Sequence, residues 1–309
     1  MRFSKPERQA ASVMKQLQGR QIKSVGTVRN YEGRLTVIAR YVQEHRLGSL
    51  RDMTPARALE YLRHRASAVS QKTLDMERQA LQSMMRHVTR QLGEGETLEV
   101  IKSTATTGTS RTTRGQPNLG RRLGEESRLY TREQVSAIAA RQAPHNALAT
   151  EIAHAAGLRA HELLTLQRTH KKAPDERPAH ELKFLGIREN SLSYTVHGKG
   201  GLTREVRIPL PLARRLEALR LAEPRTVKDR GVNYRQHYGI GGGQPWSKSF
   251  GAASTGVLGW SKGAHGLRHG YAQERLAELQ RHLPRKEALE VVSQEMGHFR
   301  PEITEVYLR

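Results

Sequence analysis

Residues 264–279 read AHGLRHGYAQERLAEL, and residues 293–309 read SQEMGHFRPEITEVYLR. The first stretch has a His-x-x-Arg-His pattern, formed by His265, Arg268 and His269, at the start of a predicted helix. In the second stretch a Gly-His pair is followed, nine residues after its histidine, by a tyrosine, so that His298 and Tyr307 extend the pattern. Imidazole, guanidinium and phenol side chains can bind a phosphodiester, attack it and move protons.

Two segments upstream contribute further candidates. The segment AGLRAHELLTL, at residues 156–166, contains Arg159 and, three positions on, Glu162. The segment YTVHGKGGLTREV, at residues 194–206, places Lys199 in a glycine-rich turn between two strand-like runs. Each feature is weak alone, because an Arg–Glu pair at this spacing is usually a surface helix pair and a turn lysine is usually exposed. Their occurrence together, in this order, is much less expected by chance.

These side chains match the needs of metal-free phosphodiester cleavage, which are a nucleophile, charge on the non-bridging oxygens, a proton acceptor and an acid for the leaving oxygen. Tyr307 is the candidate nucleophile, since neighbouring cations help a phenol to ionise. Arg159 and Arg268 can each bind two phosphate oxygens. His265 and His298 can hold protons or donate hydrogen bonds near neutral pH. A lysine at a hairpin tip can reach the leaving 5′ oxygen.

The composition indicates a partner with many negative charges. The chain of 309 residues has a formal net charge of +22 and a pI of about 10.8. Residues 1–130 contain 24 Lys and Arg against 12 Asp and Glu, and residues 131–309 contain 28 against 18. Both halves are therefore basic, which favours a polyanion partner over the alternative of a merely solvated basic face.

Several classes of protein are excluded by the same sequence. The absence of cysteine excludes disulfides, thiolate nucleophiles and cysteine-bound zinc. The first residues, MRFSKPERQAAS, lack the apolar core of a signal peptide. No run approaches the roughly 18 apolar residues of a membrane helix. The expectation is a soluble protein that is cytoplasmic or associated with the nucleoid.

Four regions are predicted along the chain. Residues 1–23 form a basic N-terminal arm, either loosely ordered or a first helix, and residues 24–92 form a helical domain. In the helical domain Thr54-Pro55 is predicted to begin one helix and Ser70 to cap another. Residues 93–130, rich in Gly, Ser, Thr and Arg, are predicted to form a flexible basic linker, with a pair of ordered loops as the alternative.

The fourth region, residues 131–309, is predicted to be mixed α/β. A capping box at Thr131 begins helices at about residues 132–142 and 146–156. Gly157 is predicted to lie at a break between helices, and Arg159 is predicted to begin a new helix. A β-hairpin is expected within 184–209 and a helix at about 211–222. The glycine-rich residues 225–264 are predicted to be an irregular loop with short helices, because they are poorly periodic and lack a phosphate-binding fingerprint.

The motifs resemble those of the tyrosine recombinases, the phage-integrase family. The resemblance covers the layout from about residue 24 to the end of the chain and is specific at residues 157–168, 193–209 and 265–307. The segment AGLRAHELLTL is similar to the family's first-arginine motif, which implies that Arg159 is catalytic and that Glu162 buttresses it.

The remaining motifs are matched in the same way. YTVHGKGGLTREV is similar to the hairpin that carries the family lysine, which would be Lys199. HGLRHGYA matches the His-x-x-Arg-His box, with His265 and Arg268 as catalytic residues and His269 in a supporting role. MGHFRPEITEVY matches the Gly-His helix and the nucleophile helix. The resemblance implies that His298 is the second catalytic histidine and Tyr307 the nucleophile.

The resemblance implies a fold that is mainly α with a small β-sheet, with an N-terminal helical core-binding domain and a C-terminal mixed α/β catalytic domain. It implies site-specific recombination or integration of double-stranded DNA through a 3′-phosphotyrosyl intermediate. The freed 5′ hydroxyl of one duplex attacks the phosphotyrosine of another, so that no metal, ATP or other cofactor is required. The resemblance further implies that four protomers, a homotetramer on DNA, act around two duplexes through a Holliday junction. A bacterium, a phage or a mobile element is the implied source.

Three departures from the family pattern concern its details. Arg268 and His298 are 30 residues apart, with RHLPRKEAL inserted, and residues 225–264 are long. The chain ends two residues after Tyr307, where relatives commonly have a segment that docks on a neighbouring subunit. The alternatives are a type IB topoisomerase, in which lysine usually replaces the histidine of the His-x-x-Arg box, a non-catalytic DNA-binding protein on the same scaffold, and a nuclease.

Overall fold

The computed structural model describes residues 4–22, 24–105 and 128–308. The chain divides between residues 117 and 118 into two compact units. Most of the predicted linker, residues 106–127, lies outside the described residues. Within the described ranges, no helix has the length and apolar character needed to cross a membrane.

The N-terminal unit is helical, as predicted. Its helices are α1 (Pro6–Leu17), α2 (Val25–Glu44), α3 (Pro55–Ala66) and α4 (Gln71–His87). The predicted start of α3 is confirmed, because the Thr54 hydroxyl accepts a hydrogen bond from the Arg57 amide and Pro55 takes the first helical position. Ser70 precedes α4, and its carbonyl accepts from the Leu74 amide at 3.0 Å, but its hydroxyl makes no capping hydrogen bond to that helix's amides.

The apolar faces of the four helices share one core. Leu35 and Ile38 of α2 meet Leu62 of α3 and Leu81 of α4, and all four side chains are fully buried. The predicted N-terminal arm, residues 1–23, contains helix α1. This helix contributes Val13 to the same core. Residues 93–105 lie along this unit, where Leu98 is buried and the Ser103 hydroxyl donates to the Val69 carbonyl at 2.6 Å.

The C-terminal unit begins with a capping box at Thr131, which is confirmed by both of its hydrogen bonds. Helices α5 (Arg132–Ala140) and α6 (Pro144–Ala155) follow. The predicted hairpin is also confirmed: β2 (Ser191–His197) pairs antiparallel with β3 (Thr203–Pro209), and the two-residue strand β1 (Gln167–Arg168) adds to β2. The register pairs Tyr194 with Val206.

The prediction of an irregular loop at residues 225–264 was wrong. Helix α7 (Leu210–Glu217) is shorter than expected, and a second hairpin follows it, formed by β4 (Arg220–Asp229) and β5 (Val232–Tyr238). The turn between these strands is Arg230-Gly231, with φ of 50° and 82°, and two positive φ angles suit a tight hairpin of right-handed twist. Helix α8 (Gly243–Leu258) occupies most of the remaining segment.

The last helices are α9 (Gly266–Leu279), α10 (Arg285–Glu295) and α11 (Pro301–Glu305). The first part of α9 is enclosed by the rest of the unit, since residues 266–272 are all buried. Helices α9 and α10 pack through a small core of their own, which includes Leu276 and Val292, and the partly buried Tyr307 ring packs against this core. The C-terminal motifs are therefore held by packed helices.

Candidate active site

The segment that carries Arg159 is a turn and not the start of an α-helix, so this part of the prediction was wrong. Helix α6 ends at Ala155, and the chain reaches only a short 3₁₀ turn at Glu162–Thr165. Gly157 adopts a φ of 58°, and a Cβ at this position would lie 2.6 Å from the ring of Tyr271. Glycine is required here for both reasons, and the turn exposes the Gly157 carbonyl to the site.

The centre of the site is the fully buried carboxylate of Glu162. Its Oε1 accepts from Arg159 Nη1 at 2.7 Å, and its Oε2 accepts from the Arg159 amide at 2.8 Å and from Arg204 Nη2 at 2.9 Å. Arg268 Nη1 lies 4.0 Å from Oε2. Burial alone would raise the pKa of Glu162, but Arg204, Arg268 and Arg159 outweigh it and lower this pKa well below its ordinary value. Glu162 is therefore ionised.

Arg268 lies on α9 and is fully buried. Its Nη1 donates to the Gly157 carbonyl and its Nη2 donates to the Met296 carbonyl. These two bonds fix the plane of the guanidinium between the turn that contains Gly157 and Arg159 and the end of α10. Desolvation, followed by repulsion from Arg159, lowers the pKa of Arg268, although an arginine remains cationic at neutral pH.

His298 is fixed by hydrogen bonds on both ring nitrogens. Arg268 Nη2 lies 3.1 Å from its Nε2, and Thr304 Oγ1 lies 3.0 Å from its Nδ1. A guanidinium can only donate, so Nε2 accepts and Nδ1 carries the proton donated to Thr304. Desolvation, with repulsion from Arg268 and Arg159, lowers the pKa of His298 to about 3. The ring is therefore neutral at neutral pH.

Tyr307 lies in a 3₁₀ turn at Val306–Leu308, directly after α11. Its ring centroid is 5.0 Å from that of His298, 4.7 Å from that of His269 and 5.4 Å from that of His265. The guanidinium carbon of Arg268 lies 5.7 Å from the same ring, over its face. The nucleophile candidate is therefore surrounded by the other residues of the C-terminal motifs.

The two histidines of the His-x-x-Arg-His box are positioned differently. His269 is buried, and its Nδ1 lies 3.2 Å from the Tyr307 carbonyl, so it holds the backbone of the nucleophile turn. His265 precedes α9 and is exposed. Partial desolvation and repulsion from Arg268 lower the pKa of His265 to about 4. Among the described residues, the nearest rings are those of Tyr307 and His269, with centroids 5.4 Å and 5.7 Å from that of His265.

The hairpin of Lys199 reaches the edge of this cluster. Lys199 lies in the turn Lys199–Gly201 between β2 and β3, and its side chain lies outside what the structure describes. At the base of the turn the Gly198 amide donates to the Leu202 carbonyl at 2.6 Å. A Cβ at Gly198 would lie 3.3 Å from Glu162 Oε1. The turn therefore begins beside the central carboxylate.

Arg204 is part of the cluster, although sequence reasoning did not select it. It is 3 % exposed and, besides Glu162, it donates to the Glu295 carbonyl from Nη1 at 2.7 Å. A Cβ at Gly297 would lie 2.6 Å from Arg204 Cδ, and this contact explains the glycine of the Gly-His pair. The sequence of β3 could have indicated that Arg204 is buried. Alternate residues of a strand share a face, and Arg204 shares its face with Val206 and Ile208, which are both buried.

The described residues contain no group of three or more His, Cys, Asp or Glu side chains arranged to hold a metal ion. The site gathers cations instead. Arg159, Arg204 and Arg268 surround one carboxylate, and the side chain of Arg159 retains 20 % exposure. Such a cluster can attract a phosphate group, and the neutral imidazoles beside the phenol can accept a proton.

We predict that Arg204→Met destabilises the C-terminal unit by about 3 kcal/mol or more, because removing one partner of a buried ion pair leaves the other partner less compensated. The chain has two tryptophans, Trp246 and Trp260, and both lie in this unit. Urea unfolding followed by tryptophan fluorescence therefore reports on this unit. The matched control is Arg215→Met, whose pair with Glu151 is half exposed, and its expected cost is at most about 1 kcal/mol. Equal costs for the two variants would contradict the prediction.

We also predict that His298 does not titrate between about pH 8 and pH 5 in the DNA-free protein. A histidine whose pKa is lowered stays neutral as the pH falls through about 6.5, the ordinary value. Histidine ring resonances in NMR spectra would be followed across this range, with His298→Gln used to identify the resonance. A midpoint near pH 6.5 would show that the ring is less enclosed than its contacts with Arg268 and Thr304 indicate.

The N-terminal unit matches a known protein family by sequence. Residues 14–91 match the family described as phage integrase, N-terminal SAM-like domain. A comparison of the sequence with curated proteins found no match.

Several solved structures are similar over nearly the whole chain. One is the XerH site-specific recombinase in a post-cleavage complex with a difH substrate, with a TM-score of 0.56, 16 % identity, and coverage of 98 % of this chain and 90 % of that one. Another is the Tn1549 transposon integrase with a circular intermediate DNA, with a TM-score of 0.54, 13 % identity and coverage of 99 % and 96 %.

A third is the lambda integrase tetramer bound to a Holliday junction, with a TM-score of 0.54, 17 % identity and coverage of 97 % and 76 %. At sequence identities of 13 to 17 %, the similarity to these structures shows the fold alone. The chain therefore has a phage-integrase SAM-like N-terminal domain and, over nearly its full length, the fold of the tyrosine recombinases.

Proposed function

We propose that the protein is a site-specific DNA recombinase that cuts and rejoins DNA through a 3′-phosphotyrosyl intermediate. The observation that carries the proposal is the cluster around Tyr307, whose ring lies within 5.4 Å of three imidazole rings and faces the Arg268 guanidinium at 5.7 Å. A phenol, two neutral histidines and several arginines supply a nucleophile, proton acceptors and phosphate-binding charge.

In the proposed reaction, Tyr307 attacks the scissile phosphorus and its proton passes to a neutral imidazole. His265 is the better placed acceptor, because it is exposed and its ring nitrogens are not engaged by other described side chains. Both ring nitrogens of His298 are engaged, so we assign this residue to orienting Arg268 and the nucleophile turn. His269 holds the same turn through the Tyr307 carbonyl.

Arg159 and Arg268 would stabilise the charge of the phosphate. Arg159 is partly exposed and keeps guanidinium hydrogens beyond its bond with Glu162. Arg268 has no exposed surface and lies beneath the Tyr307 ring. A phosphate can therefore contact Arg268 only if a group that covers it moves, and the Tyr307 ring over the guanidinium is one such group. Glu162 holds Arg159 in position.

In the second half of the reaction the cut strand would be rejoined to a DNA 5′ end. The freed 5′ hydroxyl of another duplex attacks the phosphotyrosine, so the energy of the broken bond is kept and neither ATP nor a metal ion is needed. We propose double-stranded DNA with specific sites as the partner and a homotetramer as the assembly on DNA. The lambda integrase tetramer on a Holliday junction supports this assignment by similarity of fold.

We predict that Tyr307→Phe abolishes a covalent protein–DNA adduct and preserves DNA binding, because only the attacking oxygen is removed and the ring keeps its packing. The cellular target would first be recovered by denaturing cells of the host and sequencing the DNA attached to the wild-type protein. A nicked half-site of that sequence is then incubated with each variant in EDTA and analysed on a denaturing gel.

Tyr31→Phe, in the N-terminal unit, is the matched control and should form the adduct. An adduct that persists with Tyr307→Phe would overturn the assignment of the nucleophile. An adduct with the wild-type protein that appears only with magnesium would reject the metal-free mechanism. Relaxation of supercoiled plasmid without any strand exchange would favour a topoisomerase.

We predict that Lys199 is the general acid for the leaving 5′ oxygen. General acid catalysis contributes roughly 10²–10⁴-fold, so Lys199→Ala should lose about that factor in the rate of cleavage. The loss should disappear on a substrate with sulfur at the bridging 5′ position, because a thiolate leaves without protonation. The measurement is the single-turnover cleavage rate on both substrates.

The comparison variant is Lys183→Ala. Burial lowers the pKa of Lys183, which makes it the second candidate for a lysine acid. A lysine that only contacts the DNA backbone would slow both substrates equally. If sulfur rescues Lys183→Ala and not Lys199→Ala, the role belongs to Lys183.

A further inference from the structure

A cleft of about 210 Å³ lies between the two hairpins of the C-terminal unit. On one side are β1, β2 and β3, and on the other is β5. Its lining residues come from all of these elements, from the 3₁₀ turn that ends at Thr165 and from the loop after β1. Those with a hydrogen-bond donor in the side chain include Lys172, Arg235, His197, Asn233, Gln167 and Thr203.

The chemistry of this lining suits an anion. Lys172 and Arg235 are both exposed cations, and none of the described residues that line the cleft is a carboxylate. The nearby Asp175 accepts a hydrogen bond from the Thr203 amide at 2.9 Å. A second cavity of about 530 Å³ in the same unit differs, because three carboxylates in its lining offset the three arginines there and leave no net positive charge.

The residues of the cleft are held by the fold. Thr195 Oγ1 donates to the Lys172 carbonyl at 2.9 Å, which ties the loop after β1 to strand β2. Arg235 is paired across the second hairpin with Thr226, whose side chain is also exposed. The two cations therefore stand on opposite walls, each anchored through its backbone, with side chains free to close on a ligand.

The cleft shares two elements with the candidate active site. The 3₁₀ turn has Glu162 at one end and Thr165 at the other, and the Thr165 hydroxyl accepts from the His197 amide at 2.9 Å at the cleft. The next residue, Gly198, borders Glu162. A 3₁₀ helix rises about 2 Å per residue, so the backbones of Glu162 and Thr165 are about 6 Å apart along this turn.

We propose that this cleft binds a DNA backbone phosphate one or two nucleotides from the scissile phosphate. Nucleotides of one strand are spaced by about 3.4 Å along the helix axis, so a step of two nucleotides, about 6.8 Å, is comparable with the separation along the turn. The inference rests on the proposed function for the identity of the anion as DNA. It adds a second phosphate contact and gives the hairpin β4–β5 a role in holding the strand that is cut.

The first test counts phosphate contacts. Binding to a duplex of about 30 base pairs is measured against salt concentration for the wild type, Lys172→Gln and Arg235→Gln. Each lost phosphate contact should reduce the slope of log K against log salt by about 0.9. The matched control is Lys171→Gln, which removes a neighbouring exposed lysine that does not line the cleft and should leave the slope unchanged. If Lys172→Gln and Lys171→Gln have the same slope, the cleft has no distinct role and the proposal fails.

The second test places the phosphate. Single phosphates of the recovered half-site are replaced by uncharged methylphosphonates, one position at a time. At one position, one or two nucleotides from the cut, the substitution should weaken wild-type binding about tenfold, as expected for a lost charged hydrogen bond. The same substitution should have almost no further effect on Lys172→Gln or Arg235→Gln. Effects that multiply at every position would overturn the proposal.

The two proposals can fail separately. If no covalent adduct forms but the salt slopes and methylphosphonate effects are as expected, the cleft is a phosphate site in a protein that only binds DNA. If the adduct forms and the cleft variants behave like Lys171→Gln, the recombinase assignment stands and the cleft proposal is wrong. Melting temperatures of all variants, followed by tryptophan fluorescence, would show that these exposed substitutions leave the C-terminal unit folded.

Discussion

The C-terminal unit depends on one buried carboxylate and the arginines around it. Glu162 accepts hydrogen bonds from Arg159 and Arg204, and Arg268 lies 4.0 Å away. These residues come from three different elements, namely the turn after α6, strand β3 and helix α9. An unpaired carboxylate in this position would be costly, so the ion pairs fix the three elements relative to one another. The geometry around Tyr307 follows, because Arg268 in turn holds His298.

Much of the fold could be predicted because its signals are local. The helix starts at Thr54 and Thr131 follow from capping chemistry, and the hairpin that carries Lys199 follows from alternation around a glycine-rich turn. The candidate site residues were likewise identified from spacing within the motifs. The structure brings Tyr307, the histidines and the two predicted arginines together, while the side chain of Lys199 lies outside what it describes.

The remainder is set by tertiary contacts that a linear pattern does not reveal. The segment of Arg159 looks helical in sequence, yet its amide is bound by the Glu162 side chain and the chain stays a turn. The hairpin β4–β5 was missed because its strands are mostly exposed and their apolar alternation is weak. Arg204 was passed over because an arginine in a strand is ordinarily a surface residue, and only its shared face with Val206 indicates burial.

Three guanidinium groups face one carboxylate in this unit, so the folded protein confines an excess of positive charge in a poorly solvated space. Like charges at close range repel, and the one negative charge of Glu162 balances only one of the three guanidinium groups, so the surplus charge favours an anion bound at this place. An anion bound at this place would offset the repulsion between Arg159 and Arg268, which contributes to the lowered pKa of Arg268. The affinity of the cluster for an anion and the ion pairs that join its three elements depend on the same side chains, so replacing any one of them weakens both.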